Sequence, residues 1–180
     1  FSTRSLYLTV SSRFPAFHNL LLKAGLANNK ELRYPFISES EFYTVFAPSS
    51  QALADYQADT LSITDLRNLL LAHFIQGELI FTDGNKSAGY YETTREDEES
   101  SEFLTKYTKI YIEPNIDAIN IRDKSGTGNY ATVTESGATN ILTGRDLSEG
   151  GGNPVFPNIV NNAVIHEIDK VILVDEVDRE

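Results

Sequence analysis

Two kinds of hydrophobic periodicity divide this chain. In residues 14–26 the apolar positions Phe14, Phe17, Leu20, Leu21 and Ala24 recur at spacings of three and four, which predicts an amphipathic helix. Gly25 and the pair Asn28-Asn29 predict its stop. Ser62-Ile63-Thr64-Asp65 has the form of a capping box and precedes Leu66, Leu69, Leu70 and Phe74 at helical spacing, with Gly77 as the stop. Between these helices, residues 42–46 are apolar and β-branched and predict a strand ended by Pro48, with Ser49 as N-cap of a short helix through Ala52, Leu53 and Tyr56. Leu6-Tyr7-Leu8-Thr9-Val10 fits either a strand or the lead-in to a helix.

Beyond Gly77 the period changes to two. Residues 109–113 alternate, and 118–122 and 130–134 flank a Gly-rich turn at 124–128, as in a β-hairpin. Residues 139–143, 164–168 and 171–174 predict three further short strands. Residues 84–101 and the run Gly150-Gly151-Gly152-Asn153-Pro154 read as loops. Helices first and strands afterwards indicate an α+β fold rather than alternating βαβ units.

At 180 residues the chain suits one domain, expected to span 1–180 and long enough to bury a core without staples. The net charge of −11 disfavours nucleic acid and anionic lipid surfaces, both of which call for Lys/Arg patches. There is no Cys, hence no disulfide framework and no thiolate metal site, which tilts the expected source toward bacteria. The chain contains no Met and opens on Phe1, so it is expected to be a piece of a longer, multi-domain surface protein. No apolar run approaches the ~18 residues of a membrane span.

Three separated stretches carry a family resemblance. Tyr43-Thr44-Val45-Phe46-Ala47-Pro48-Ser49 is similar to the first fasciclin-type (FAS1) motif, a Thr-Val-Phe-Ala-Pro strand running into a short helix. Leu69-Leu70-Leu71-Ala72-His73-Phe74-Ile75-Gln76-Gly77 resembles the central motif, and Asn162-Ala163-Val164-Ile165-His166-Glu167-Ile168-Asp169 the last. The resemblance implies a β-wedge or sandwich of roughly seven strands with helices packed along one side. It also implies an adhesion or binding module at a cell surface or in a matrix, extracytoplasmic, with a lipoprotein anchored to an outer membrane as one form. Thr44, Phe46, Pro48, His73, Asn162, His166 and Asp169 are then structural motif positions. Ala72 stands where the family usually has Tyr, in a region tied to integrin binding in some animal members, and Ala163 replaces the usual Gly. The stretch 84–101 is longer than the typical family connection.

The chemistry-bearing residues form no catalytic pattern. His18, His73 and His166 show no His-x-x-x-His or Glu-x-x-His spacing, and no Gly-x-Ser-x-Gly elbow accompanies any Ser. His73 and His166 are expected to lock helix to sheet through backbone hydrogen bonds, and His18 to lie at the margin of the core. Neither a metal nor a cofactor is expected. The acidic run Glu96-Asp97-Glu98-Glu99 lacks the alternation and Gly of a calcium loop and reads as a solvated face. Tyr90-Tyr91 beside it could stack on a sugar or anchor an interface, or pin the long loop to the domain. Tyr90, Tyr91, Glu96, Asp97, Glu98 and Glu99 are the candidate contacts to a protein or glycan partner of a monomeric domain. The alternative is a structural spacer with no ligand of its own.

Overall fold

The computed structural model describes residues 2–38, 41–82, 84–96, 100–116, 118–122, 131–132, 141–143 and 163–172. Among them are α1 (Ser2–Arg13), α2 (Pro15–Lys23), α3 (Ser50–Tyr56) and α4 (Ile63–Leu71). The strands are β1 (Tyr43–Pro48), β2 (Phe74–Gln76), β3 (Gly89–Glu96), β4 (Tyr107–Asn115), β5 (Ala118–Arg122), β6 (Ala131–Thr132), β7 (Ile141–Thr143) and β8 (Ala163–Ile168). The class is α+β, as the periodicity indicates.

Local chemistry sets the helix limits. Pro15 opens α2, where its missing N–H costs nothing. Beyond its end, the Leu26 N–H donates to the Leu21 carbonyl and the Gly25 N–H to the Leu22 carbonyl, a Schellman closure that needs the positive φ of Gly25, +76°. The Ser49 and Ser62 hydroxyls accept from the Ala52 and Asp65 N–H groups, each at 3.1 Å, and cap α3 and α4. The ambiguous stretch at 6–10 is helical. Leu6 and Val10, one turn apart with Tyr7 beside them, are buried, whereas Leu8 is exposed.

The strands form one sheet in the order β6-β5-β4-β3-β2-β1-β8-β7. Its pairings are antiparallel except for β1 and β8, which run parallel with Phe46 opposite His166. Every residue of β1 is buried, so this strand has a core on each face. One face, with Val45 and Ala47, lies under the helices against Phe17, Leu21, Leu66 and Leu70. The other, with Phe46, joins Ile168 of β8 to Ile110 and Ile112 of β4 and Ile119 and Ile121 of β5. One cluster uniting strands so far apart in the sheet order requires the sheet to curl over on itself, producing the wedge.

Three expectations change. The 84–101 stretch is not one loop, because β3 runs through it. Its Tyr-Tyr-Glu-Thr-Thr run pairs with β4, and a bulge between Glu92 and Glu96 buries Thr93, Thr94 and Arg95 in succession, masking the alternation. Residues 171–172 do not continue a strand; the Ile172 N–H donates to a histidine ring instead. His18 is buried rather than marginal, its Nδ1 sharing a 2.8 Å hydrogen bond with the Tyr34 hydroxyl. The predicted hairpin pairs β5 with β6, while its 124–128 turn, and residues 173–174, lie outside the described residues.

Candidate functional site

The residues of the three motifs converge on one buried frame. The Thr44 hydroxyl donates to the Glu78 carbonyl at 2.7 Å and accepts from the Ile80 N–H at 2.9 Å. His166 donates from Nε2 to the Ile80 carbonyl at 2.7 Å and stacks on Phe46, ring centres 5.8 Å apart. Ile80 is thereby held at both of its backbone groups. The Phe46 N–H donates to the His73 carbonyl, and His73 donates from Nδ1 to the Leu69 carbonyl at 2.7 Å while its Nε2 accepts from the Ile172 N–H at 3.0 Å. That pair of partners requires the neutral Nδ1–H tautomer.

Burial pushes both imidazoles down to about 4, only partly opposed by their hydrogen bonds to carbonyls. Neutral, buried and bonded to backbone, these rings hold segments together. Among the described residues no three His, Asp or Glu side chains come together as a metal set. Pro48 is buried at the end of β1 and Asp169 lies exposed in the bend after β8, while Asn162 lies outside the described residues.

The solvent-facing chemistry lies elsewhere, on the outer face of β3, β4 and β5. Alternation turns Ile110, Ile112, Ile119 and Ile121 inward and leaves Lys109, Tyr111, Glu113, Asn120 and Arg122 outward. Register then sets Tyr90 opposite Tyr111, Tyr111 opposite Arg122, Glu92 opposite Lys109 and Glu113 opposite Asn120. Tyr90, 52% exposed, meets the Tyr111 ring edge-to-face at 5.2 Å. The Arg122 guanidinium sits 5.8 Å from the centre of the Tyr111 ring and pairs with the Glu113 carboxylate at 2.6 Å. Gln76 donates to Glu92 at 2.6 Å. The result is an aromatic row flanked by hydrogen-bonding and charged side chains already held in place, able to stack on a planar or sugar face and bond its rim.

The predicted contact residues therefore separate. Tyr90 is on this face. Tyr91, its neighbour, points inward onto the isoleucine core and donates its hydroxyl to the Ser87 carbonyl. Glu96 is exposed at the far end of β3, opposite Tyr107, and Asp97, Glu98 and Glu99 lie outside the described residues. Tyr111 and Arg122 are missing from the sequence-based set. The alternation over 109–113 already put Tyr111 on the face opposite Ile110 and Ile112, but nothing local said that Tyr90 and Arg122 would flank it.

The Fasciclin domain family model matches residues 12–140. Among curated proteins no relative matches. Of solved structures, a FAS1 domain pair from the insect cell adhesion molecule Fasciclin I is similar at 15% identity with a TM-score of 0.38, over 95% of this chain and 45% of that one. The chain thus spans less than half of that structure's length.

Proposed function

The chain belongs to the fasciclin-domain family, and from that premise we propose that it is a non-enzymatic adhesion module that recognises a protein or glycan through the outer face of β3–β5. Fasciclin domains occur in extracellular and cell-surface proteins. In this reading the domain is one part of a longer surface protein and works outside the cytoplasm, with a lipoprotein anchor as one way of holding it there. The observation that carries the proposal is the row Tyr90–Tyr111–Arg122, set side by side on the outer face by a strand pairing that sends every second side chain outward, with Tyr90 exposed and the other two half-buried. Supporting it is the division of labour among titratable groups: the two motif histidines are held neutral and spent on backbone hydrogen bonds, away from solvent. Among the described residues no helix is long and apolar enough to cross a membrane.

The test is a paired screen of the domain on a glycan array and on an array of purified matrix proteins. A specific ligand is expected, with affinity falling at least about tenfold in a Tyr90→Ala/Arg122→Ala variant whose circular dichroism is unchanged. A ligand unaffected by that variant would move the site elsewhere. No ligand on either array would favour the spacer reading, and turnover of a small molecule by the domain would refute the non-enzymatic one.

A further inference from the structure

The connection from β3 to β4 turns back through residues 100–106 and sets two apolar side chains in water. Phe103 is 96% exposed and Leu104 59%. Neither belongs to either core. The turn is nonetheless built. The Ser101 N–H donates to the Leu104 carbonyl at 2.9 Å, the Leu104 N–H to the Ser101 hydroxyl at 3.2 Å, and the Lys106 N–H to the Ser100 hydroxyl at 3.2 Å. These bonds come from backbone and serine side chains, so the turn does not depend on a phenylalanine at its tip. A small polar residue would serve it equally and would not leave an aromatic ring in water.

We propose that this turn is a protein-docking knob, distinct from the Tyr90 face, whose occupant is a partner protein presenting an apolar pocket rimmed by Lys and Arg. Charge selects that occupant. The connection from Glu96 to Lys106 carries five acidic residues in sequence against one basic residue, Lys106, in a chain of net charge −11. Glu96, before the turn, and Glu102, within it, are exposed. An anionic lipid surface is repelled by this local excess of acidic residues in the sequence. A second copy would bring the same acids against it, a like-charge juxtaposition that opposes pairing. A basic-rimmed pocket on another protein meets both demands, seating Phe103 in its centre and its cations against the acids, the arrangement in which a buried aromatic anchor supplies most of the affinity. The knob is a separate surface from the aromatic row: Glu96 closes the hairpin opposite Tyr107, and Tyr90 lies six residues back along β3, about 20 Å at the rise of an extended strand.

The test titrates the ¹⁵N-labelled domain with a synthetic amphipathic helical peptide of leucine and lysine, whose apolar face is bordered by cations. A leucine–glutamate peptide of the same pattern is the charge control. Amide shifts centred on 100–106 are expected with the lysine peptide and none with the glutamate peptide. A Phe103→Ser/Leu104→Ser variant should weaken the lysine peptide at least tenfold while keeping the thermal midpoint, since neither side chain is in a core. Shifts scattered over the acidic surface and insensitive to that variant would overturn the proposal, as would no binding of the lysine peptide. Perturbation of the same amides by phosphatidylcholine vesicles, or by raising the domain's own concentration, would assign the knob to lipid or to a second copy and equally overturn it. None of these outcomes depends on the Tyr90 face.

Discussion

The buried motif frame and the outer face of β3–β5 are built from the same sheet and use their polar groups in opposite ways. Around β1 and β8, Thr44 and His166 bond backbone groups of a segment distant in sequence, and His73 ties the Leu69 carbonyl one turn back to the distant Ile172 N–H. On the outer face of β3–β5, Arg122 pairs with Glu113, Glu92 accepts from Gln76 of the neighbouring β2, and an aromatic row lies beside them. A polar group in the first region holds the fold because leaving its buried partner unpaired is expensive. One in the second sits partly or fully in solvent, where such pairs contribute less to stability. The motif residues Thr44, Phe46, His73 and His166 are thus buried in the frame and are not those of the outer face.

The sharpest way to break this comparison is acid. His73 and His166 titrate near 4 when folded and near 6.5 when unfolded. Above the unfolded value both states are neutral and the full stability is present. As pH falls from 6.5 to 4, the unfolded chain takes up protons that the folded one refuses, and stability is lost, by about 3 kcal/mol for each histidine. Urea melts across that window should show this fall, and a slope no steeper than that of a variant lacking both rings would contradict the frame. Next in size, Phe46→Ala removes a fully buried ring shared by β1 and the isoleucine core and should cost about 3–5 kcal/mol in a denaturant melt. Thr44→Val keeps the shape but orphans the Ile80 N–H and the Glu78 carbonyl, and should cost about 1–3 kcal/mol. The smallest effect is expected at Tyr90→Ala, which loses one edge-to-face contact on a half-exposed ring and should cost about 1 kcal/mol or less. If Tyr90→Ala proved as costly as Thr44→Val, the outer face would be part of the frame and its availability to a ligand would be in doubt.

The helices were readable because their signals are local. A Ser hydroxyl capping a nearby N–H, or a Gly completing a Schellman turn, involves residues within one turn of each other. The strands at 109–113 and 118–122 were readable because alternation survives where one face is buried and the other is not, whereas 164–168, buried almost throughout, was readable as a short apolar run. β3 was hidden by the same logic: its bulge buries Thr93, Thr94 and Arg95 together, and its charges resemble those of a loop. For the candidate site, Tyr90 could be singled out as an aromatic beside charges, but separating it from Tyr91 required knowing which side of the strand faces the isoleucines.

By itself, then, the sequence determined the α+β class, the helix caps and the motifs at 43–49 and 69–77 that fall within the matched family domain, since each depends on residue types at short spacings. Only the tertiary structure decided that Thr44 and His166 would grip the same residue, Ile80, and that Tyr90, Tyr111 and Arg122 would form one row. Those outcomes depend on strand register and on a sheet that curls, and register is a property of paired strands that no single strand carries.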